Sequence, residues 1–189
     1  MRILFLGNSF TFFNDLPQMV GELLNAEVGR SLRGGAYLFE HLDPADELYE
    51  QSRKLLTEEK WDYVVLQDQS QGPITNREEF LQAVRTLNPL IRAAGAKPIL
   101  YETWAYREGS EILASTGFTF EEMQQKLSEG YAAAAAENDA LLAPVGQTFA
   151  VARATTPLYC DDDYHPAEPG SRIAAQVFAD VIRADQAAK

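Results

Sequence analysis

Short apolar runs and helix-period patterns alternate along the whole chain. Ile3-Leu4-Phe5-Leu6 is continuous rather than alternating, which predicts a strand buried on both faces, as in a parallel sheet. Leu16, Met19, Val20, Leu23 and Leu24 then recur at helical spacing, with Asn14-Asp15 as the expected cap and Pro17 in the first turn. Tyr63-Val64-Val65-Leu66 is the next clear strand. Asn76 followed by Glu79 predicts a capping box for a helix whose buried face carries Phe80, Val84, Leu87 and Ile91. Pro89 is expected to bend that helix and Gly95 to stop it. A strand is predicted over Pro98–Thr103, a helix capped by Thr119 and Glu122 after it, and a last strand over Leu141–Val145. The closing helix opens near Pro169 and lines up Ile173, Val177, Phe178, Val181 and Ile182 on one stripe.

Strands separated by helices of a dozen or more residues require right-handed crossovers, and so a parallel sheet covered on both sides. The pattern predicts one domain over residues 1–189: a three-layer α/β/α sandwich, flavodoxin-like, with about five strands. The weakest strand is Arg30–Arg33, the only candidate between the first helix and Gly34-Gly35. Arg107–Gly117 shows no period and is expected to be a loop beside the site. Ala132–Ala136 reads as a close-packed helix surface, since alanine is the best helix former. Open parallel sheets bind ligands at the carboxyl ends of their strands, where Ser9, Gln67–Ser70 and Trp104 all fall.

Composition narrows the partners. A chain of 189 residues buries roughly 70% of its unfolded surface without help from metal or disulfide. Its single cysteine, Cys160, excludes an internal disulfide and reads as an inert small apolar residue. A net charge of −12 with no basic run argues against nucleic acid, anionic membranes and polyphosphates, and favours a neutral or weakly charged small molecule. No apolar stretch approaches the roughly 20 residues that span a bilayer, and no leader pattern precedes the first strand. The expected location is cytoplasmic for the chain as it stands, and periplasmic or secreted if a leader was trimmed.

Candidate chemistry concentrates at two places. Gly7-Asn8-Ser9 strands a hydroxyl at the rim of the sheet, where Ser9 is either turn chemistry or a nucleophile. A serine nucleophile needs a base, and the chain has two histidines, His41 and His165. His165 lies in Asp161-Asp162-Asp163-Tyr164-His165-Pro166, just before the last helix. A spacing of three lets one turn bring the Asp162 carboxylate back to the imidazole, while Pro166 keeps His165 extended and loop-borne. His41 follows Glu40 at a candidate helix start and is expected at the surface or in a supporting role, not as the base. Trp104, Tyr106 and Phe39 are candidates to line an acyl or sugar pocket.

GNSF after the first strand, Gly35 in RGGAYLFEHL, LQDQS after the third clear strand and DDYHP before the last helix resemble, in that order, the blocks of the SGNH (GDSL-like) hydrolases. With YETWAY and APVG, the chain is similar to a bacterial subgroup of that family without an assigned substrate. The resemblance implies the SGNH hydrolase fold and a serine esterase: Ser9 as nucleophile, His165 as general base, Asp162 as its orienter, and the N–H groups of Ser9 and Gly35 as oxyanion donors. It implies no cofactor. Its substrate would be a small ester or an acylated carbohydrate. One block departs from the family, in which an Asn side chain supplies the third donor. Gln69 stands at that position, with Gln67 as the fallback donor or a substrate-binding residue beside Trp104 and Tyr106.

Two other classes of function compete: a non-catalytic module that binds a small ligand or sugar on the same fold, and a metal-dependent phosphoesterase using Asp161–Asp163 with His165. The first is weakened for phosphates by the negative charge and by the lack of a Gly-x-Gly-x-x-Gly loop. The second lacks a further cluster of ligands.

Overall fold

A computed structural model describes residues 1–188. The chain runs β1 (Arg2–Gly7), α1 (Ser9–Phe12), a 3-10 turn (Phe13–Asp15), α2 (Leu16–Leu24), β2 (Glu27–Leu32), a second 3-10 turn (Leu38–Leu42) and α3 (Glu47–Glu58). It continues through β3 (Tyr63–Leu66), α4 (Gly72–Thr75), α5 (Arg77–Ala93), β4 (Lys97–Tyr101), α6 (Glu111–Thr116) and α7 (Phe120–Glu137). β5 (Leu141–Ala143), α8 (Val145–Ala152) and α9 (Glu168–Ala187) complete it. Among the described residues, five parallel strands form one sheet in the order β2-β1-β3-β4-β5. The architecture is the expected three-layer α/β/α sandwich.

Alternation along the strands splits the core in two. Ile3, Phe5, Val65, Ile99 and Tyr101 face one way, against side chains of α2, α8 and α9. Leu4, Leu6, Val64, Leu66 and Leu100 face the other, against α3 and α5. Burial on both sides explains why these strands read as continuous apolar runs. The connection after β1 runs to β2 on one side and the connection after β3 runs to β4 on the other, so the loops after β1 and β3 diverge. That divergence opens a crevice at their carboxyl ends, the place where such sheets take ligands.

Local chemistry departs from the sequence pattern at several points. The weak strand is longer than Arg30–Arg33: β2 begins at Glu27, and as an edge strand it has polar, partly exposed residues that conceal its period. The expected strands Pro98–Thr103 and Leu141–Val145 are observed as Lys97–Tyr101 and Leu141–Ala143. Thr119 and Glu122 form the expected capping box, with hydrogen bonds of 3.2 and 2.8 Å. Asn76 occupies its expected cap position but makes no side-chain cap; its Oδ1 accepts from Thr75 instead. Nor does Asp15 cap α2 through its side chain, because Asn14 and Asp15 both adopt left-handed backbone. α5 runs on through Pro89 to Ala93, as loss of one N–H leaves the other rungs in place. Arg107–Gly117 is not a plain loop: Ser110 caps the six-residue α6, too short to display a period. No helix among the described residues is long and apolar enough to cross a membrane.

Candidate active site

β1 delivers Ser9 to the crevice. Gly7 ends the strand where an added Cβ would lie 2.8 Å from Gln67 Oε1, so only glycine fits there. Asn8 is buried and holds the turn in three directions. Its N–H donates to Gln67 Oε1 (3.0 Å), its Nδ2 to the carbonyls of Ala36 (2.9 Å) and Asp68 (3.2 Å), and its Oδ1 accepts from Phe10 N–H at the start of α1 (3.1 Å). Capping Phe10 this way leaves the Ser9 N–H, at the first helical position, without an acceptor inside the helix.

Ser9 Oγ lies 2.8 Å from His165 Nε2, although the two residues are 156 positions apart. His165 Nδ1 lies 2.7 Å from Asp162 Oδ2. A carboxylate only accepts, so Nδ1 carries the proton and Nε2 presents a lone pair to the hydroxyl. Asp162 Oδ1 accepts the N–H groups of Tyr164 (3.2 Å) and His165 (3.0 Å), closing the turn that the three-residue spacing predicts. Partial burial works to raise the Asp162 carboxyl, but the His165 side chain and these two N–H groups outweigh it and hold the carboxyl below its ordinary value. The other acidic neighbour, Asp163, pairs with Arg107 at 2.6 Å. Among the described residues no group of three or more His, Cys, Asp or Glu side chains is arranged to hold a metal ion.

Ser9 and His165 line a cleft of about 410 Å³ with Phe12, Phe13, Gly35, Gln69, Ser70 and Tyr164. Gly35 is the third residue of a turn closed by Ala36 N–H on Arg33 O, with φ +71°. A Cβ there would meet nothing within 4 Å, so the left-handed backbone demands this glycine, not close approach. Gln69 lines the cleft, and its amide is partly engaged: Oε1 accepts Gln71 N–H (2.7 Å) and Nε2 donates to Ser70 Oγ (3.1 Å).

Four proposed lining residues sit elsewhere. Gln67 is fully buried, its Oε1 taken by Asn8 N–H and by Thr11 Oγ1 (2.8 Å) and its Nε2 by the Asp68 carbonyl. It is a strut under the Ser9 turn and has no free amide for substrate or oxyanion. Trp104 is also fully buried, stacked between Phe10 (4.7 Å) and Phe149 (4.2 Å), and its indole N–H donates to Tyr164 O at 3.0 Å. It steadies the His165 loop from inside. Tyr106 is buried behind Ser70, with its hydroxyl 2.7 Å from Ser70 Oγ. Phe39 faces a separate surface cleft with Leu42 and residues of α5. Cys160 is partly buried, and burial pushes its thiol up, so it stays protonated.

His41 is not at the surface. It is buried, with Nδ1 2.7 Å from Ser52 Oγ, which is in turn 2.8 Å from Ser31 Oγ. Sequence reading also passed over Asn8, Phe12, Phe13 and Tyr164 as site residues; Asn8 and Tyr164 adjoin residues it did select, whereas Phe12 and Phe13 lie beyond the Ser9 turn.

The fold has close counterparts in solved structures. A candidate SGNH hydrolase from Slackia heliotrinireducens is 43% identical, with 96% of this chain and 98% of that one covered at a TM-score of 0.90. A candidate GDSL-like lipase from Parabacteroides merdae (16% identity, 95% and 94% covered, TM-score 0.74) and the acetylxylan esterase Axe2 of Geobacillus stearothermophilus (18% identity, 96% and 93% covered, TM-score 0.73) share the fold. No protein-family model and no curated protein matches the chain. Likeness at 43% identity over nearly the full length of both chains is more than a shared fold, and it establishes this protein as an enzyme of the SGNH hydrolase family.

Proposed function

We propose that the chain is a serine esterase that hydrolyses short acyl esters through Ser9, His165 and Asp162. The observation that supports it most is the 2.8 Å contact between Ser9 Oγ and His165 Nε2, with Asp162 behind the imidazole. Nε2 takes the hydroxyl proton as Oγ attacks the ester carbonyl carbon, and Asp162 stabilises the imidazolium that results. The carbonyl oxygen, now an anion, accepts from the N–H groups of Ser9 and Gly35, with the remaining amide hydrogen of Gln69 as the third donor. His165 then gives its proton to the leaving alkoxide oxygen. Water repeats the sequence on the acyl-enzyme and frees the acid and Ser9.

A cleft of about 410 Å³ stands near the lower end of ligand sites and suits a short acyl group on a small alcohol or sugar. The same fold serves an acetylxylan esterase, which supports including acetylated carbohydrate in the proposed substrate class. Replacing Ser9 with Ala tests the reading. Turnover of an aryl acetate should fall by about 10⁴-fold or more, and turnover near the parent level would remove Ser9 from its role.

A further inference from the structure

His165 is held in more ways than by its two hydrogen bonds. The Phe13 ring lies parallel to the imidazole, 4.1 Å between centroids and 2° between planes. Tyr164 approaches to 4.1 Å at 39°, and the Phe10 edge contact is at 5.7 Å. Phe13 owes its position to an uncommon backbone. The next two residues, Asn14 (φ 54°) and Asp15 (φ 55°), are both left-handed, a conformation that costs any residue with a Cβ and that Asn and Asp tolerate best. Something must offset that strain. Asp15 pairs with Arg30 at 2.6 Å, and Asn14 Nδ2 donates to Pro166 O and to Ser171 Oγ, both at 2.9 Å. Pro166 directly follows His165, so Asn14 pins the histidine loop while its neighbour Phe13 covers the imidazole face.

We propose that Phe13 and Asn14 are positioning residues for His165, a clamp that fixes the imidazole plane toward Ser9 Oγ and sets an aromatic face against the imidazolium formed during acyl transfer. This rests on the reading of Ser9 and His165 given above. A flat ring face carries negative charge density, so its attraction to the imidazole is strongest once the proton has moved from Oγ to Nε2. The clamp therefore acts on the transition state more than on substrate binding, and its signature is in kcat.

Phe13→Leu keeps apolar bulk but removes the ring, Phe13→Tyr keeps the ring, and Asn14→Asp keeps the left-handed preference but loses both N–H donors. For Phe13→Leu, kcat on an aryl acetate should fall about tenfold with KM changed less than about threefold, and Phe13→Tyr should restore most of the loss. Asn14→Asp should lower kcat in the same way, and labelling of Ser9 by a fluorophosphonate should slow in parallel in both variants. The melting temperature of each variant checks that it is folded. The clamp is overturned if Phe13→Leu retains kcat within about twofold of the parent, if its loss is entirely in KM, or if Phe13→Tyr is as impaired as Phe13→Leu. Activity that survives Ser9→Ala overturns the underlying reading instead, so the two failures are distinguishable.

Discussion

The protein contains two serine–histidine hydrogen bonds of nearly equal length: Ser9–His165 at 2.8 Å and Ser52–His41 at 2.7 Å. Their surroundings differ in every respect that matters to chemistry. Behind His165 stands a carboxylate; behind Ser52 stands another hydroxyl, Ser31. Ser9 opens on a cleft, whereas Ser52 and His41 are only 1% and 2% exposed. Burial pushes the His41 imidazole down to about 4, an effect that Asp46 opposes and Arg33 reinforces, so it stays neutral and serves as a core polar group joining the Leu38–Leu42 turn to α3 and, through Ser31, to β2. A short Ser–His contact is thus no sign of a nucleophile by itself. In the proposed reading, the anionic partner, the access and the oxyanion donors make the difference.

The largest expected effect lies behind His165. Asp162→Asn should lower kcat by about 10³- to 10⁴-fold with little change in stability, because the amide favours the wrong tautomer and leaves the imidazolium unsupported. Steady-state kinetics and a melting curve measure both, and a near-parental kcat would erase the contrast with the buried pair.

A second effect is read in stability against pH. His41 has a folded value of about 4 against an ordinary 6.5, so the unfolded chain binds more protons between these limits and stability is lost as pH falls through them, by about 3 kcal/mol. Asp68 is the opposite case. Its buried carboxyl accepts Leu38 N–H at 2.7 Å, and burial raises it to about 7 from 3.8, so the folded chain keeps a proton that the unfolded chain sheds, and about 4 kcal/mol is lost as pH rises. The two slopes oppose each other in one window. Relative to the parent, Asp68→Asn should gain stability from pH 4 to 8, and His41→Gln should gain it from pH 7 to 4, as followed by urea unfolding. Differences that do not vary with pH would deny both groups their buried titration. The smallest effect is Ser31→Ala, which should cost about 1–3 kcal/mol in the same assay and leave kcat unchanged, since it removes a buried partner that does not line the cleft.

The legible parts of the fold were those where burial is simple. β1 and β3 are covered on both faces and read as plain apolar runs, while β2 lies at an edge, and its exposed Glu27 and Arg30 masked its first half. Ser9, Asp162 and His165 were legible because turn residues, a three-residue spacing and a proline expose their local geometry. Gln67 and Trp104 were placed correctly at strand ends but not in depth: what decides whether a side chain at a strand end faces the cleft or the core is the packing of residues distant in sequence, here Asn8, Thr11 and Phe149. The same blindness left the surface open as a place for His41 beside a supporting role. Its burial depends on Ser31 and Ser52, one strand and one helix away.

Reaction of the folded protein with a fluorophosphonate, followed by peptide mass spectrometry, tests the distinction between the two pairs most directly. The account predicts one adduct per chain, on Ser9, formed rapidly in the parent and lost in His165→Ala, with Ser52 unmodified. An adduct on Ser52, or a folded parent that does not react at Ser9, would contradict it.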